Sequence, residues 1–289
     1  MKILIIGGNR FFGKKLTNNL LNQGHEITLL TRGQRLDDFN NLVNRIHFNR
    51  KELKEQHPIL GNQKWNLVFD QVCYDSFEAE GACQTFSGRT QQYVFTSSQS
   101  VYGPGEAIKE TAFEPAAYSF GKAITRDVDY GEAKRQAEAT FFKTADFPIA
   151  SVRFPIVLGE DDHDRRLHFH VRAILENKPI YFPNLEAKIS FISSYDAAGF
   201  LASFSETFNP GPINCCSTEP IALKEFIEVL EEVLGKKANV VSDPKLGETS
   251  PFGIGKDWYM NTQNLSQFAY QPSPIQKWLP DMVRQIARE

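Results

Sequence analysis

The chain has 289 residues, 41% hydrophobic and 23% charged, and its 32 basic and 35 acidic side chains leave a formal net charge of -3. That balance suits an ordinary globular protein and shows no polyanion-binding footprint, so nucleic acid is not an expected partner. No apolar run approaches the ~20 residues of a membrane span, and the N-terminus lacks the pattern of a signal peptide, so a cytoplasmic location is expected.

Lys2 to Ile6 is an apolar run of the kind that forms a buried parallel strand, and Gly7-Gly8-Asn9-Arg10-Phe11-Phe12-Gly13 follows at once. Phe12, Leu16 and Leu20 then recur at i, i+4 and i+8, which predicts a helix running to Gly24. A strand entering a glycine-rich turn that opens a helix offers backbone N–H groups to a pyrophosphate. Gly7, Gly8, Asn9, Arg10, Phe11, Phe12 and Gly13 are therefore candidate cofactor residues, with Arg10 placing a cation towards the adenosine end. Glu26–Leu30, Arg45–Phe48, Asn66–Phe69, Gln92–Thr96 and Ile149–Phe154 read as five further strands, with helical segments between most of them. This alternation predicts an α/β fold, a Rossmann-type doubly wound parallel sheet over residues 1–154.

The second half, 155–289, is richer in proline and loops, with one well-marked helix from Lys224 to Gly235. It reads as a smaller α/β substrate lobe, partly interleaved with the sheet and folded over its carboxyl edge. The four cysteines, Cys73, Cys83, Cys215 and Cys216, have no zinc or C-x-x-C spacing and read as buried, reduced thiols. Asp161, His163, Asp164, His168 and His170 cluster in sequence, but at a spacing that matches no metal motif, so no metal is expected.

Two segments carry chemistry. Tyr130-Gly131-Glu132-Ala133-Lys134 lies in an expected helix from Arg126 to Lys143, so the phenol and the ammonium share a face. A free phenol titrates near ~10, and a neighbouring cation brings it towards working range. Thr96-Ser97-Ser98-Gln99-Ser100-Val101-Tyr102-Gly103 ends the fifth strand, where hydroxyls meet substrate at the rim of the sheet.

These segments together resemble the extended short-chain dehydrogenase/reductases, the NAD(P)-dependent epimerase/dehydratase family. Ser97 to Gly103 is similar to the family's S-S-x-x-V-Y-G, and Tyr130 and Lys134 to its Y-x-x-x-K. Arg153 to Gly159 resembles the segment that lines the nicotinamide, and Ser190 to Ala198 the F-I-x-x-x-D-x-A stretch of the second lobe. The resemblance implies Ser98, Tyr130 and Lys134 as catalytic residues. It adds Thr31, Arg32, Asn49, Val72, Thr96, Ser97, Pro155 and Val157 to the cofactor residues. Ser100, Tyr102, Arg153, Arg165, Arg166 and Lys188 are the candidates for substrate contact, the cations among them suited to an anion.

The departures carry information too. Arg10 stands where the family usually has its middle glycine, and the G-G-x-R-F-x-G turn resembles an atypical branch that includes the chloroplast stem-loop RNA-binding proteins. Ile156 replaces the asparagine usual in nucleotide-sugar epimerases. Ile189 lies near the place of their diphosphate-gripping arginine, with Lys188 adjacent. Both changes loosen the tie to a UDP- or dTDP-sugar. Gln99-Ser100 is not the acidic pair of the family's dehydratases, which favours reduction or epimerisation. After the second strand no carboxylate comes before Asp37, and Arg32 with Arg10 suits a 2′-phosphate, so NADP is expected in preference to NAD.

The expected activity is that of an NAD(P)-dependent oxidoreductase or epimerase acting on a small, sugar-like or nucleotide-sugar substrate. The alternative is a non-catalytic NADP-binding regulator or RNA-binding protein. Oligomeric state stays open, with a homodimer as an option by analogy with the family.

Overall fold

A computed structural model describes residues 1–50 and 60–289. In chain order the first half forms β1 (Lys2–Ile6), α1 (Phe11–Asn22), β2 (Glu26–Thr31), β3 (Asn44–His47), β4 (Trp65–Asp70), α2 (Ser76–Phe86), β5 (Thr90–Ser98), β6 (Gly105–Ile108), α3 (Tyr130–Thr144) and β7 (Ile149–Phe154). The second half forms β8 (Ile156–Leu158), α4 (Arg166–Leu175), β9 (Pro179–Tyr181), β10 (Lys188–Ile189), β11 (Phe191–Ser193), α5 (Ser194–Ser203) and β12 (Gly211–Asn214). It continues with β13 (Ile221–Ala222), α6 (Leu223–Leu234), β14 (Asn239–Val241), β15 (Glu248–Thr249), β16 (Trp258–Met260) and α7 (Ile275–Ile286).

Seven strands build the central sheet in the order β12-β7-β5-β4-β1-β2-β3, with every neighbouring pair parallel. Ile3 to Ile6 have no exposed surface, because helices cover both faces: α1 and α5 pack together on one side, α2 and α3 on the other. Strands buried on both faces need continuous apolar runs, which is what β1, β4 and β5 supply. Chain order reverses between β1 and β4, and the crevice outside their carboxyl ends is where doubly wound sheets bind ligands.

Six strands of the sheet match the expected ones; the seventh, β12, lies in a stretch that reads as loop. Gly211 and Pro212 disguise it, and proline is tolerated there because β12 is an edge strand. α6 ends at Gly235, whose φ of 64° suits glycine at a helix terminus. The second lobe has its own core around Phe191, Phe226, Phe252 and Leu279. The two halves interleave, since β6 of the first half joins the second lobe's sheet β13-β10-β16-β6. No helix among the described residues is long and apolar enough to cross a membrane. All four cysteines are buried and unbridged.

Candidate active site

The turn after β1 is built for close approach. Gly7 and Gly8 take φ of 97° and 83°, open to glycine and costly for other residues. A Cβ on Gly13 would fall 2.2 Å from Gln71 Oε1 and 3.1 Å from Gly8 Cα, so only glycine lets α1 start this close to β1 and β4. Phe11 is held at φ 49° at the mouth of the same turn, a strained conformation for a bulky side chain. Its neighbour Phe12 packs edge-on against Phe154, with centroids 6.0 Å apart.

The turn opens a cavity of about 470 Å³, lined by Gly7 to Gly13, Thr31 to Arg35, Asn49, Arg50, Gln71, Val72, Tyr74, Asp75, Glu78, Thr125 to Asp127 and His163. Gln71 Nε2 is buried there without a hydrogen-bond partner among the described residues. Helix-terminal N–H groups, a glycine cradle and an unspent amide donor together fit the diphosphate of a dinucleotide. At the far end stand Arg10, Arg32 and Arg35, all exposed and without a charged partner among the described residues. The acids that follow in the chain are committed elsewhere: Asp37 pairs with Arg45 at 2.6 Å and Asp38 with Lys14 at 2.8 Å.

Beneath the cavity lies a group the sequence reading missed. Arg50 pairs with Asp70 at the end of β4, donates to the Glu78 carbonyl at 2.8 Å, and Asp70 accepts from the Tyr93 hydroxyl at 2.6 Å. Burial is the largest influence and disfavours the Arg50 charge, but Asp70 together with Cys73 and Tyr93 outweighs it and keeps the guanidinium protonated. Residues from three separate strands and loops meet here, and no local motif announces that.

The expected helix from Arg126 begins instead at Tyr130. Residues 125–129 close a turn, and Asp129 caps α3 by accepting the Glu132 N–H at 2.9 Å. Tyr130 therefore sits on the first turn of α3. A Cβ on Gly131 would lie 2.6 Å from the Ser100 carbonyl oxygen, so this glycine lets α3 nest against the end of β5. Tyr130 is 40% exposed, yet desolvation still pushes its phenol above the ordinary tyrosine range. Hydrogen bonding with Ser98 and the charges of Arg166 and Arg126 oppose that rise. Ser98 in turn accepts the Ser100 N–H at 3.1 Å.

Lys134 is placed differently from expectation. Its ammonium donates to the Cys73 and Thr96 carbonyls at 2.6 and 2.8 Å and lies 5.9 Å from the Tyr130 ring centroid. Burial lowers its pKa. It ties α3 to the ends of β4 and β5 and makes no hydrogen bond to the Tyr130 phenol.

Several of the expected contact residues lie away from the cavity or are occupied by neighbours. Arg153 is fully buried: it pairs with Glu138 at 2.6 Å and donates to the Tyr102 hydroxyl and the Glu110 and Phe113 carbonyls. Tyr102 is buried too and donates to Asn214 at 2.8 Å, while Ser97 donates to Glu138. All three spend their polar atoms inside the buried network around Arg153 and Glu138. Arg165 pairs with Glu289 at the surface, and Lys188 lies on β10 in the second lobe's sheet, outside the cavity lining. Thr96, Pro155 and Val157 are also outside that lining; Thr96 uses its carbonyl on Lys134 and Val157 its carbonyl on Arg166. His168 and His170 are buried away from exposed His163, which splits the histidine cluster.

A seven-stranded parallel sheet with a glycine turn at its switch point is a Rossmann-type doubly wound fold, and the chain shares it with solved nucleotide-sugar enzymes. A dTDP-glucose 4,6-dehydratase from Bacillus anthracis solved with NAD is 15% identical, with a TM-score of 0.77 over 100% of this chain and 97% of that one. A UDP-glucose 4-epimerase from Thermotoga maritima solved with UDP-glucose is 14% identical, with a TM-score of 0.75 over 100% and 98%. A UDP-glucuronic acid 4-epimerase from Bacillus cereus solved with NAD is 17% identical, with a TM-score of 0.73 over 99% and 97%. At these identities the likeness is one of fold. By sequence, the chain is 28% identical over 143 residues to the chloroplast stem-loop binding protein of 41 kDa b of Arabidopsis thaliana. That match spans 44% of this chain and 38% of the relative. No protein-family profile matches the chain.

Proposed function

We propose that the chain is an NAD(P)-dependent oxidoreductase or epimerase acting at a hydroxyl or carbonyl carbon of a sugar-like or nucleotide-sugar substrate. The observation that carries this reading is the convergence of Ser98, Tyr130 and Lys134 on the carboxyl edge of the sheet, where Tyr74 links Tyr130 to the glycine-turn cavity. Tyr74 and Tyr130 have ring centroids 6.4 Å apart. The fold relatives solved with NAD support the cofactor class. Gly7 to Gly13 and Gln71 would hold the diphosphate, and Arg10, Arg32 and Arg35 a 2′-phosphate, which favours NADP. A nicotinamide bound there supplies a hydride donor or acceptor.

The chain's own part is proton handling. With its phenol above the ordinary range, Tyr130 is protonated at neutral pH, ready to give its proton to a carbonyl oxygen in the reducing direction; in the oxidising direction it must first lose that proton before it takes the one from the substrate hydroxyl. Ser98 orients that oxygen and shares its proton. Lys134, fixed by two carbonyls, keeps a positive charge behind the phenolate that remains. Replacing Tyr130 with Phe removes the proton and keeps the ring. In a screen of sugars and sugar nucleotides against both cofactor redox states, turnover should fall at least ~100-fold while NADP affinity holds. Undiminished turnover sinks the assignment.

The stem-loop binding relative favours a second reading, a non-catalytic RNA-binding protein or NADP-dependent regulator. It requires RNA affinity that drops steeply with salt, through phosphate contacts, and indifference to Tyr130→Phe.

A further inference from the structure

Tyr74 stands where the cofactor cavity meets Tyr130. It lines that cavity, which Ser98 and Tyr130 do not, and its ring centroid is 6.4 Å from that of Tyr130. Arg126 Cζ lies 4.4 Å and Lys134 Nζ 5.0 Å from the Tyr74 ring centroid. Lys134 is thus nearer to this ring than to that of Tyr130, at 5.9 Å. The Tyr74 side chain is half-buried, and its hydroxyl has no hydrogen-bond partner among the described residues.

The backbone that carries this phenol is fixed from both sides. The peptide unit between Cys73 and Tyr74 is gripped at its two ends by opposite charges. Its carbonyl accepts from the Lys134 ammonium at 2.6 Å, and its N–H donates to Glu78 Oε2 at 2.7 Å. Such charge-assisted bonds are short and strong, and here both act along one peptide dipole. Glu78 is set in turn by the start of α2, where Asp75 accepts the Glu78 N–H at 3.0 Å. Two residues earlier, the Val72 N–H donates to Asp70 at 3.2 Å. The Tyr74 hydroxyl is therefore an unspent donor and acceptor on a preorganised support, which loses little freedom when a ligand arrives.

The rest of the cavity indicates what it meets. The diphosphate fits the glycine turn and Gln71, and Arg10, Arg32 and Arg35 stand at the adenosine end. The other half of a dinucleotide then extends to Tyr74, on the side of Tyr130. We infer that Tyr74 is a cofactor-binding residue for the nicotinamide riboside half, which it holds by a hydrogen bond of its hydroxyl. This rests on the reading of the chain as an NAD(P)-dependent enzyme.

The test is calorimetric titration of the wild type and Tyr74→Phe with two ligands that share an adenosine end. One is NADP; the other is adenosine 2′,5′-bisphosphate, which lacks the nicotinamide half. NAD and ADP form the corresponding pair if the wild type prefers NAD. Tyr74→Phe keeps the ring and the two cations beside it and removes the hydroxyl alone. It should bind the dinucleotide roughly tenfold more weakly than the wild type and the adenosine fragment equally well. Its urea midpoint should match the wild type, because the hydroxyl has no partner within the described fold. Wild-type dinucleotide affinity in the variant, equal weakening of both ligands, or a lowered urea midpoint overturns the inference. A wild type that takes up neither NADP nor NAD brings down the NAD(P)-dependent reading and this inference with it; uptake that is indifferent to Tyr74→Phe brings down this inference alone.

Discussion

Arg32 directly follows β2, where a carboxylate would grip the adenosine ribose of NAD, and Arg35 joins it in the cavity wall. Arg32 was legible because the end of the second strand is a fixed place in such folds. Arg35 was not, since only the curl of residues 32–35 brings it round. Each guanidinium offers charged hydrogen bonds to a 2′-phosphate. Arg32→Ala and Arg35→Ala should each cost NADP roughly tenfold in affinity and leave NAD nearly unchanged. Tighter binding of NAD than NADP by the wild type would rule the preference out. Arg153 shows the opposite limit. A strand-end arginine near the rim looks like an anion ligand, but its direction depends on Glu138, which arrives from α3.

At the scale of elements, α3 both presents Tyr130 and Lys134 at its start and inserts Glu138 against β7. Arg153 and Glu138 are both fully buried, so the pair holds the helix to the strand beside β5. Glu138→Gln leaves a buried guanidinium uncompensated and should lower stability by about 3–5 kcal/mol, read from urea denaturation. α4 carries a pH-dependent element. His170 stacks on Phe252 at 4.5 Å, and its Nδ1 donates to the Arg166 carbonyl, which leaves Nε2 to accept from the Ser250 hydroxyl. Burial pushes its pKa down from 6.5 to about 3. The folded form thus refuses a proton that the unfolded chain accepts below about pH 6.5. Stability is full above that pH and falls as the solution is acidified towards about pH 3. Between about pH 7.5 and pH 5 the wild type should lose about 2 kcal/mol more than His170→Gln. Equal losses would show that His170 titrates normally.

For the whole molecule, the boundary expected near residue 154 falls where the chain keeps crossing. β12 pairs with β7 inside the central sheet, and α5 packs on α1 over the core that includes Phe200, Phe204 and Phe268. A fragment of residues 1–154 bares the β7 edge and that apolar face, so it should show no cooperative urea transition and should associate. A monomeric fragment with a sharp transition would mean that the first half is self-sufficient. The sequence by itself determined the parallel sheet, the glycine turn and the Tyr130/Lys134 face, because strand and helix periodicities and glycine turns are local properties of the backbone. Tertiary structure alone decided that α3 starts at Tyr130, that Lys134 spends its protons on two carbonyls, and that Arg153 is core. The physical reason is that a charged side chain's role depends on which partners share its burial, and those partners lie far away along the chain.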